Sequence, residues 1–379
     1  MMNRSLFIAF ALPMIALLPA KAQVSTVRVG ISDQKSESSV LVSPVSGRFS
    51  VLNLAGDTLY NFRSDDVVSI KTVGDSMELK GVYGLDERVI TASVVGSGPQ
   101  PSFLVKRESD GKELNYPGAL TVSVAAGKLT LVNTVDMDTY VARVVQSEVG
   151  SNAHEEYYKI QGIICRTYAI GNKGRHGGQG FDVCDHQHCQ VYGAADPTEA
   201  IAKATAATSG IVMADTAGRP ILAAFHANCG GQTAHSQDIW LEALSYLVSV
   251  PDTFCLQQRS AKWTEQVPVD AMRQQFGSDA DTILVDGFGL DMEQRQSHIT
   301  IGKESVRTAD LRRDLRLRSA FFGLKVAGSV ALLSGQGFGH GVGLCQQGAM
   351  NMAKHGHNYS EILGHYYANV ALVNLSSIK

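Results

Sequence analysis

Hydrophobic and polar residues alternate with period two in three early stretches, Val27-Arg28-Val29-Gly30-Ile31, Phe49–Leu54 and Val67–Val73. That period puts every second side chain on one face and predicts half-buried strands. Gly47, Gly56-Asp57 and Asp110-Gly111 interrupt the runs as turns. Tyr116-Pro117-Gly118 through Val132-Asn133 predicts two more strands, so residues 24–131 read as β-rich. The period then changes. Tyr140, Val141, Val144, Val145 and Glu148 recur at helical spacing from about Asp138, and Gly150 stops that helix. A second helix is expected over about Ala153–Asn172, capped by Ser151 or Asn152, with Glu155 and Glu156 in its first turn. Its apolar face is Ile160, Ile163, Ile164 and Thr167, while Lys159 and Arg166 share another face two turns apart. An alanine-rich helix follows over Pro197–Ser209, then strands at Gly210–Met213 and Ile221–Phe225. Trp263, Phe276, Ile283 and Val285 suggest a small α+β piece over about 257–330. Alternating glycines from Gly335 to Gly343 lead into a helix near Leu344. The fold class is α+β: a β-rich N-terminal part, 23–132, precedes a mixed α/β core, 133–379, that carries the 257–330 piece as an insertion.

Residues 1–22 differ from the rest. Arg4 gives a basic start, Leu6 to Leu18 a short apolar run, and Ala20-Lys21-Ala22 a small-residue cleavage site. The run is shorter than the ~20 residues that span a bilayer, and Pro13 interrupts it. A cleaved secretory leader is expected, with Gln23 first in an exported chain that has no stable membrane span. An uncleaved anchor is the alternative. Hydrophobic residues at 44% and charged residues at 18% permit a sizeable core and argue against wholesale disorder. A net charge of −3 gives no polybasic signature for nucleic acid. All six cysteines follow the leader, in a compartment where disulfides form.

Five places carry candidate chemistry. Glu148 lies beside the stripe of Val141, Val144 and Val145, where lost solvation raises a carboxyl pKa toward that of a general acid. The bland alternative is a solvated helix end. Lys159 and Arg166 are either ligand contacts or an exposed face. The glycine-rich loop from Gly171 to Cys189 holds His176, Cys184, His186, His188 and Cys189. Two thiolates and two imidazoles there make a closed tetrahedral zinc site; a Cys184–Cys189 disulfide or solvated histidines are the alternatives. His226-Ala227-Asn228-Cys229-Gly230-Gly231-Gln232-Thr233 ends a strand as a ligand-contact loop or a capped turn. The late glycines, Gly335 to Gly343, match neither a phosphate loop nor a dinucleotide fingerprint. They permit close backbone approach to a ligand, with His340 and Gln346 as hydrogen-bonding groups.

These segments together resemble the SpoIID/LytB family. The resemblance rests on D-x-Y-V-x-x-V-V-x-x-E at Asp138–Glu148, K-x-Q-x-x-x-x-R-T-Y at Lys159–Tyr168 and Gln190-Val191-Tyr192. It continues in H-A-N-C-G-G-Q-T at His226–Thr233 and G-F-G-H-G-V-G-L-C-Q-Q-G-A at Gly337–Ala349. It implies a catalytic core with a groove and a peptidoglycan lytic transglycosylase. Such an enzyme cuts the bond between N-acetylmuramic acid and N-acetylglucosamine in denuded strands and leaves a 1,6-anhydro end. It implies Glu148 as the acid, with Lys159, Arg166, Tyr168, His226, Gln232, Thr233, His340 and Gln346 as strand-binding groups. The family's H…C…H-C pattern selects His176, Cys184, His188 and Cys189 as ligands of a structural zinc, with His186 as the substitute. Cys229 and Cys255 depart from the family's usual residues, and a disulfide between them is expected from that joint departure. A thiol nucleophile at Cys229 is the alternative. A non-catalytic, glycan-binding activator of a cell-wall amidase is the second functional expectation, and a zinc hydrolase the third.

Overall fold

The structure, a computed structural model, describes residues 26–31, 37–63, 65–193, 195–277 and 284–378. The expected leader lies outside these residues. The β-rich part is a sheet of eleven strands. In chain order these are β1 (Thr26–Ile31), β2 (Ser39–Leu52), β3 (Thr58–Asn61), β4 (Val68–Val73), β5 (Ser76–Gly81), β6 (Asp86–Val89), β7 (Thr91–Arg107), β8 (Glu113–Pro117), β9 (Ala119–Ala125), β10 (Lys128–Asp136) and β11 (Val183–Cys184). The main path runs β11-β1-β10-β9-β7-β2-β4-β5-β6, with β3 on β2 and β8 on β7. Alternation explains the pairing. Val27 and Val29 point inward from β1 while Arg28 points out, and Val40, Val42, Val68, Ile70, Val105 and Val122 build the same core. β11 joins the edge in parallel, Val29 opposite Val183, and so ties the histidine-and-cysteine loop to the sheet.

The chain leaves β10 directly into α1 (Met137–Val149). Asp136 caps it, its Oδ1 accepting the N–H groups of Asp138 and Thr139 at 3.0 and 3.1 Å. Gly150, at φ 73°, ends it. α2 (Glu155–Gly171) is capped by His154, whose Nδ1 accepts Glu156 N–H at 3.2 Å, and not by Ser151 or Asn152. This helix is buried along most of its length. Tyr158 and Cys165 enter the sheet's core, and Tyr157, Ile160, Ile163 and Ile164 enter a second core. α3 (Glu199–Ala207) packs on both helices.

The second core joins β12 (Ile211–Ala214), β13 (Phe225–His226), α4 (Ser236–Trp240) and three C-terminal elements beyond the insertion. Residues 262–336 build a sheet of their own from β14 (Lys262–Pro268), β15 (Gly289–Leu290), β18 (Phe322–Ala327) and β19 (Val330–Gln336), in the order β14-β19-β18-β15. The hairpin of β16 (His298–Ile301) and β17 (Glu304–Arg307) and the helices α5 (Val269–Phe276) and α6 (Thr308–Asp314) accompany it. Trp263, Phe276, Phe322 and Leu333 are in its separate core. The sequence pattern placed the end of this piece near 330; β19 carries it to Gln336. The chain returns through β20 (Leu344–Cys345), α7 (Gln346–Lys354), α8 (Tyr359–Tyr366) and β21 (Ala371–Asn374). The strand expected at Ile221–Phe225 is shorter and later. β13 pairs in parallel with β20, His226 opposite Cys345, which brings the two late motif blocks side by side.

Candidate active site

Glu148 stands in the last turn of α1, half-buried. Its Oε1 accepts the backbone N–H of Val191 at 3.1 Å. Beneath it lies Cys165 of α2, fully buried. Burial, and after it the charge of Glu148, holds that thiol well above its ordinary range. Gln190 is buried beside them, its Oε1 accepting the Tyr140 hydroxyl at 3.2 Å. The carboxylate is therefore oriented by a loop, and that loop is held by what precedes it.

What precedes it is the cluster of His176, Cys184, His188 and Cys189, whose donor atoms all lie within 4.8 Å of one another. Cys189 Sγ is 3.4 Å from His176 Nε2 and 3.7 Å from His188 Nδ1, and Cys184 Sγ is 3.6 Å from His188 Nδ1. The four come together because β11 pins Cys184 to the sheet edge and the His176 ring stacks on Phe181 at 4.8 Å. His186 is outside the set; its Nδ1 accepts the His188 N–H at 3.3 Å. All six cysteines are free, Cys184 and Cys189 among them. These two imidazoles and two thiols have the donor types that hold a metal ion. Tyr168 belongs to this cluster more than to Glu148. Its hydroxyl donates to His188 O at 3.4 Å and accepts from Arg175 at 3.2 Å, and burial pushes its pKa up to about 12.

Arg166 has no exposed surface. Its guanidinium pairs with Asp138 at 2.8 Å and donates to Ile211 O at 3.1 Å and Thr205 O at 3.3 Å. It ties α1, α3 and β12 to α2, so neither expectation for it, a ligand contact or a solvated face, survives. Lys159 is engaged by Glu155 at 3.0 Å and Glu156 at 2.6 Å. Glu156 also accepts the Tyr359 N–H at 2.7 Å, so the group links α2 to α8.

The late blocks form a second patch. The His226 Nδ1 bonds Val342 O at 3.1 Å, and its buried Nε2 has no partner among the described residues. Burial, then the nearby His340, pushes its pKa well down. His340 is pushed down to about 4 by burial. Its Nε2 bonds Phe225 O at 2.9 Å and its Nδ1 accepts Val342 N–H at 3.0 Å, so both ring nitrogens are already satisfied. His340 thus shapes the patch instead of offering a hydrogen bond. Trp240 lies 5.2 Å from it, ring to ring. Thr233 is fully buried and accepts Val250 N–H at 2.8 Å. Gln232 donates to Ser249 at 3.0 Å. Both are loop-building residues in this arrangement. Gln346 is half-exposed at the start of α7. Two polar residues escaped the sequence reading. Asn228 donates to Gln347 at 2.7 Å and Cys255 O at 3.1 Å. Arg295 donates to Cys229 O at 2.7 Å and Gln232 O at 2.6 Å. Asn228 sat inside a quoted motif, but nothing in the pattern of residues 257–330 marked Arg295.

Val149, next to Glu148, and Ala153 pack against both the first and the second core. A cavity of about 810 Å³ opens elsewhere, on Asp136, Asp138, Thr139, Ala142, Arg143 and Asp196, and Glu148 is not among its walls. Asp136 and Asp138 precede Glu148 by twelve and ten residues, about 18 and 15 Å along a helix. Both are occupied, Asp136 as the cap and Asp138 by Arg166 and Ser209.

Comparison with known proteins adds an independent finding. The family model described as stage II sporulation protein, SpoIID, matches residues 125–214, the span that holds Glu148 and the His176 cluster. A stage II sporulation protein D of Bacillus amyloliquefaciens is 29% identical over 267 residues, 65% of this chain and 76% of its own length. An uncharacterized protein of Brachyspira hyodysenteriae is 25% identical over 370 residues, 95% of this chain and 96% of its own. An amidase enhancer of Bacillus subtilis is 25% identical over 287 residues, 61% of this chain but 40% of its own.

Proposed function

The chain belongs to the SpoIID/LytB family, and from that premise we propose that it acts outside the cytoplasm on the cell wall, as a lytic transglycosylase of peptidoglycan glycan strands. The observation that carries the reading is a single half-buried carboxylate, Glu148, oriented by the Val191 N–H. Two-carboxylate hydrolysis needs a partner about 5–9.5 Å away. Asp136 and Asp138 are too far along α1 and already engaged; Asp185, half-buried on the loop before Val191, is the remaining candidate, and Asp185→Asn should leave cleavage intact if one acid suffices. One acid suffices for intramolecular attack. The Glu148 carboxyl gives its proton to the glycosidic oxygen as the bond to C1 of N-acetylmuramic acid breaks. The carboxylate then takes the proton of that sugar's C6 hydroxyl as its oxygen bonds C1. The ring closes as 1,6-anhydro sugar, and no water is consumed. His226, whose Nε2 has no hydrogen-bond partner among the described residues, and Gln346 would position the strand.

The His176 cluster fits zinc. Bonds of about 2.3 Å to sulfur and 2.0–2.1 Å to nitrogen, at a tetrahedral angle, put sulfur and nitrogen about 3.6 Å apart. The sulfur–nitrogen distances are 3.4, 3.6 and 3.7 Å. Four protein ligands close the site, so the metal would be structural. It would hold residues 184–189 so that Val191 meets Glu148. That closure also argues against a zinc hydrolase, which needs an open position.

Incubation of peptide-free glycan strands with the mature chain, followed by mass spectrometry, tests the reading. Anhydro-ended fragments support it, and reducing ends or intact strands overturn it. The amidase-enhancer relative supports a second reading, a glycan-binding activator without catalysis. Intact strands, tight strand binding and faster hydrolysis by an added cell-wall amidase would favour that one.

A further inference from the structure

Cys229, Asp252, Cys255 and Cys345 are all buried, and their donor atoms lie within 4.8 Å of one another. They come from three segments: the loop after β13, the turn at 252–255, and the end of β20, where Cys345 caps α7. The Cys229 and Cys255 sulfurs approach to 3.4 Å without a bond, so the expected disulfide gives way to a wider cluster. Cys229 Sγ is also 3.3 Å from Asp252 Oδ2. Two backbone N–H groups, of Cys229 and Gly348, point at Cys345 Sγ, each at 3.3 Å.

Asp252 is 1% exposed. Among the described residues it has no cationic side chain within ion-pairing distance. Instead the Tyr366 hydroxyl donates to its Oδ2 at 2.9 Å and the Phe254 N–H to its Oδ1 at 2.9 Å. A buried carboxylate without a counter-charge is costly. Outer hydrogen bonds that aim a carboxylate are a regular feature of metal sites. α7 reaches the cluster only because residue 348 is glycine; a Cβ there would run into Asp252 and Tyr366.

We propose that Cys229, Asp252, Cys255 and Cys345 hold a zinc ion in a second closed, tetrahedral site that fastens the two late loops together behind His226 and His340. Three sulfurs and one oxygen are donors that zinc accepts. Two thiolates on one zinc stand about 3.8 Å apart, whereas a disulfide needs about 2.05 Å. A disulfide between any two of the cysteines would leave the third thiol and Asp252 without a role. A metal uses all four donors. Binding releases the thiol protons to solvent and involves no electron transfer. The site is independent of the proposed glycan chemistry.

The test uses the full mature chain loaded with zinc and freed of excess. Metal per chain is measured for the wild type, for Cys345→Ser and for His176→Ala. The wild type should hold two equivalents and each variant one. A zinc content unchanged by Cys345→Ser overturns the proposal. Alkylation mapping on the wild type decides the matter even where a variant fails to fold. Cys229, Cys255 and Cys345 should all be alkylated after denaturation without reductant, and in the native protein only once a chelator is added. A Cys229–Cys255 peptide lighter by two hydrogens, or native alkylation indifferent to chelator, overturns it.

Discussion

Replacing Arg166 with methionine separates a structural role from a ligand-binding one. Methionine keeps much of the side chain's length and removes its charge and donors. The change deletes the pairing with Asp138 and the bonds to Thr205 O and Ile211 O. Each carbonyl bond is worth about 1 kcal/mol. Breaking a fully buried ion pair costs about 3–5 kcal/mol, but the Asp138 side chain is 36% exposed, so solvent screens much of that. The expected total is about 3 kcal/mol, which for a unit of 150–250 residues lowers the thermal midpoint by roughly 6–12 °C. The assay is a thermal melt of the mature chain, paired with a glycan-strand binding isotherm well below the midpoint. Asp138→Asn should shift the midpoint less, because Arg166 retains both carbonyls. An unshifted midpoint with weakened strand binding would refute the structural assignment and return Arg166 to the ligand.

Further outcomes follow from other contacts. If the proposed zinc sits at the His176 cluster, Cys189→Ser should lower the proposed glycan cleavage about tenfold while strand binding persists, measured as product release against pull-down. Gly348→Ala should destabilise the chain by a few kcal/mol, on the scale of an overpacked core, seen in the melting midpoint. His340 resists protonation down to about 4 when folded, against 6.5 when free. The unfolded chain therefore binds a proton first, and stability falls as pH drops from about 6.5 to 4, by on the order of 3 kcal/mol at full effect. His340→Gln should flatten that limb in melts taken across the window.

The legible parts of the chain were those whose partners are close in sequence. Strand alternation placed Val27 and Val29 inside before any pairing was known. The donors from His176 to Cys189 fall within one loop, so residue type marked the cluster; the family resemblance singled out four of the five, and the structure leaves out His186, the substitute. Glu148 and Val191 were each inside quoted blocks, but the hydrogen bond between them was not readable, because it spans a whole helix and loop. Arg166 was misjudged because a charged residue is placed outward by default, and its carboxylate and carbonyl partners come from α1, α3 and β12. Cys345 lies inside a quoted motif block, yet its meeting with Cys229, Cys255 and Asp252 depends on the parallel pairing of β13 with β20. A two-residue strand leaves no periodicity to detect. The satisfied ring of His340 is likewise a product of backbone geometry, set by Phe225 and Val342.

The most direct measurement compares Glu148→Gln with the wild type on purified peptide-free glycan strands, scoring anhydro-ended fragments by mass spectrometry and strand binding in the same preparation. Glutamine keeps the shape and a side-chain oxygen for the Val191 N–H, but it has no proton to give or take. The account predicts anhydro products from the wild type alone, with binding and melting midpoint unchanged in the variant. Anhydro products from Glu148→Gln at the wild-type rate would contradict it.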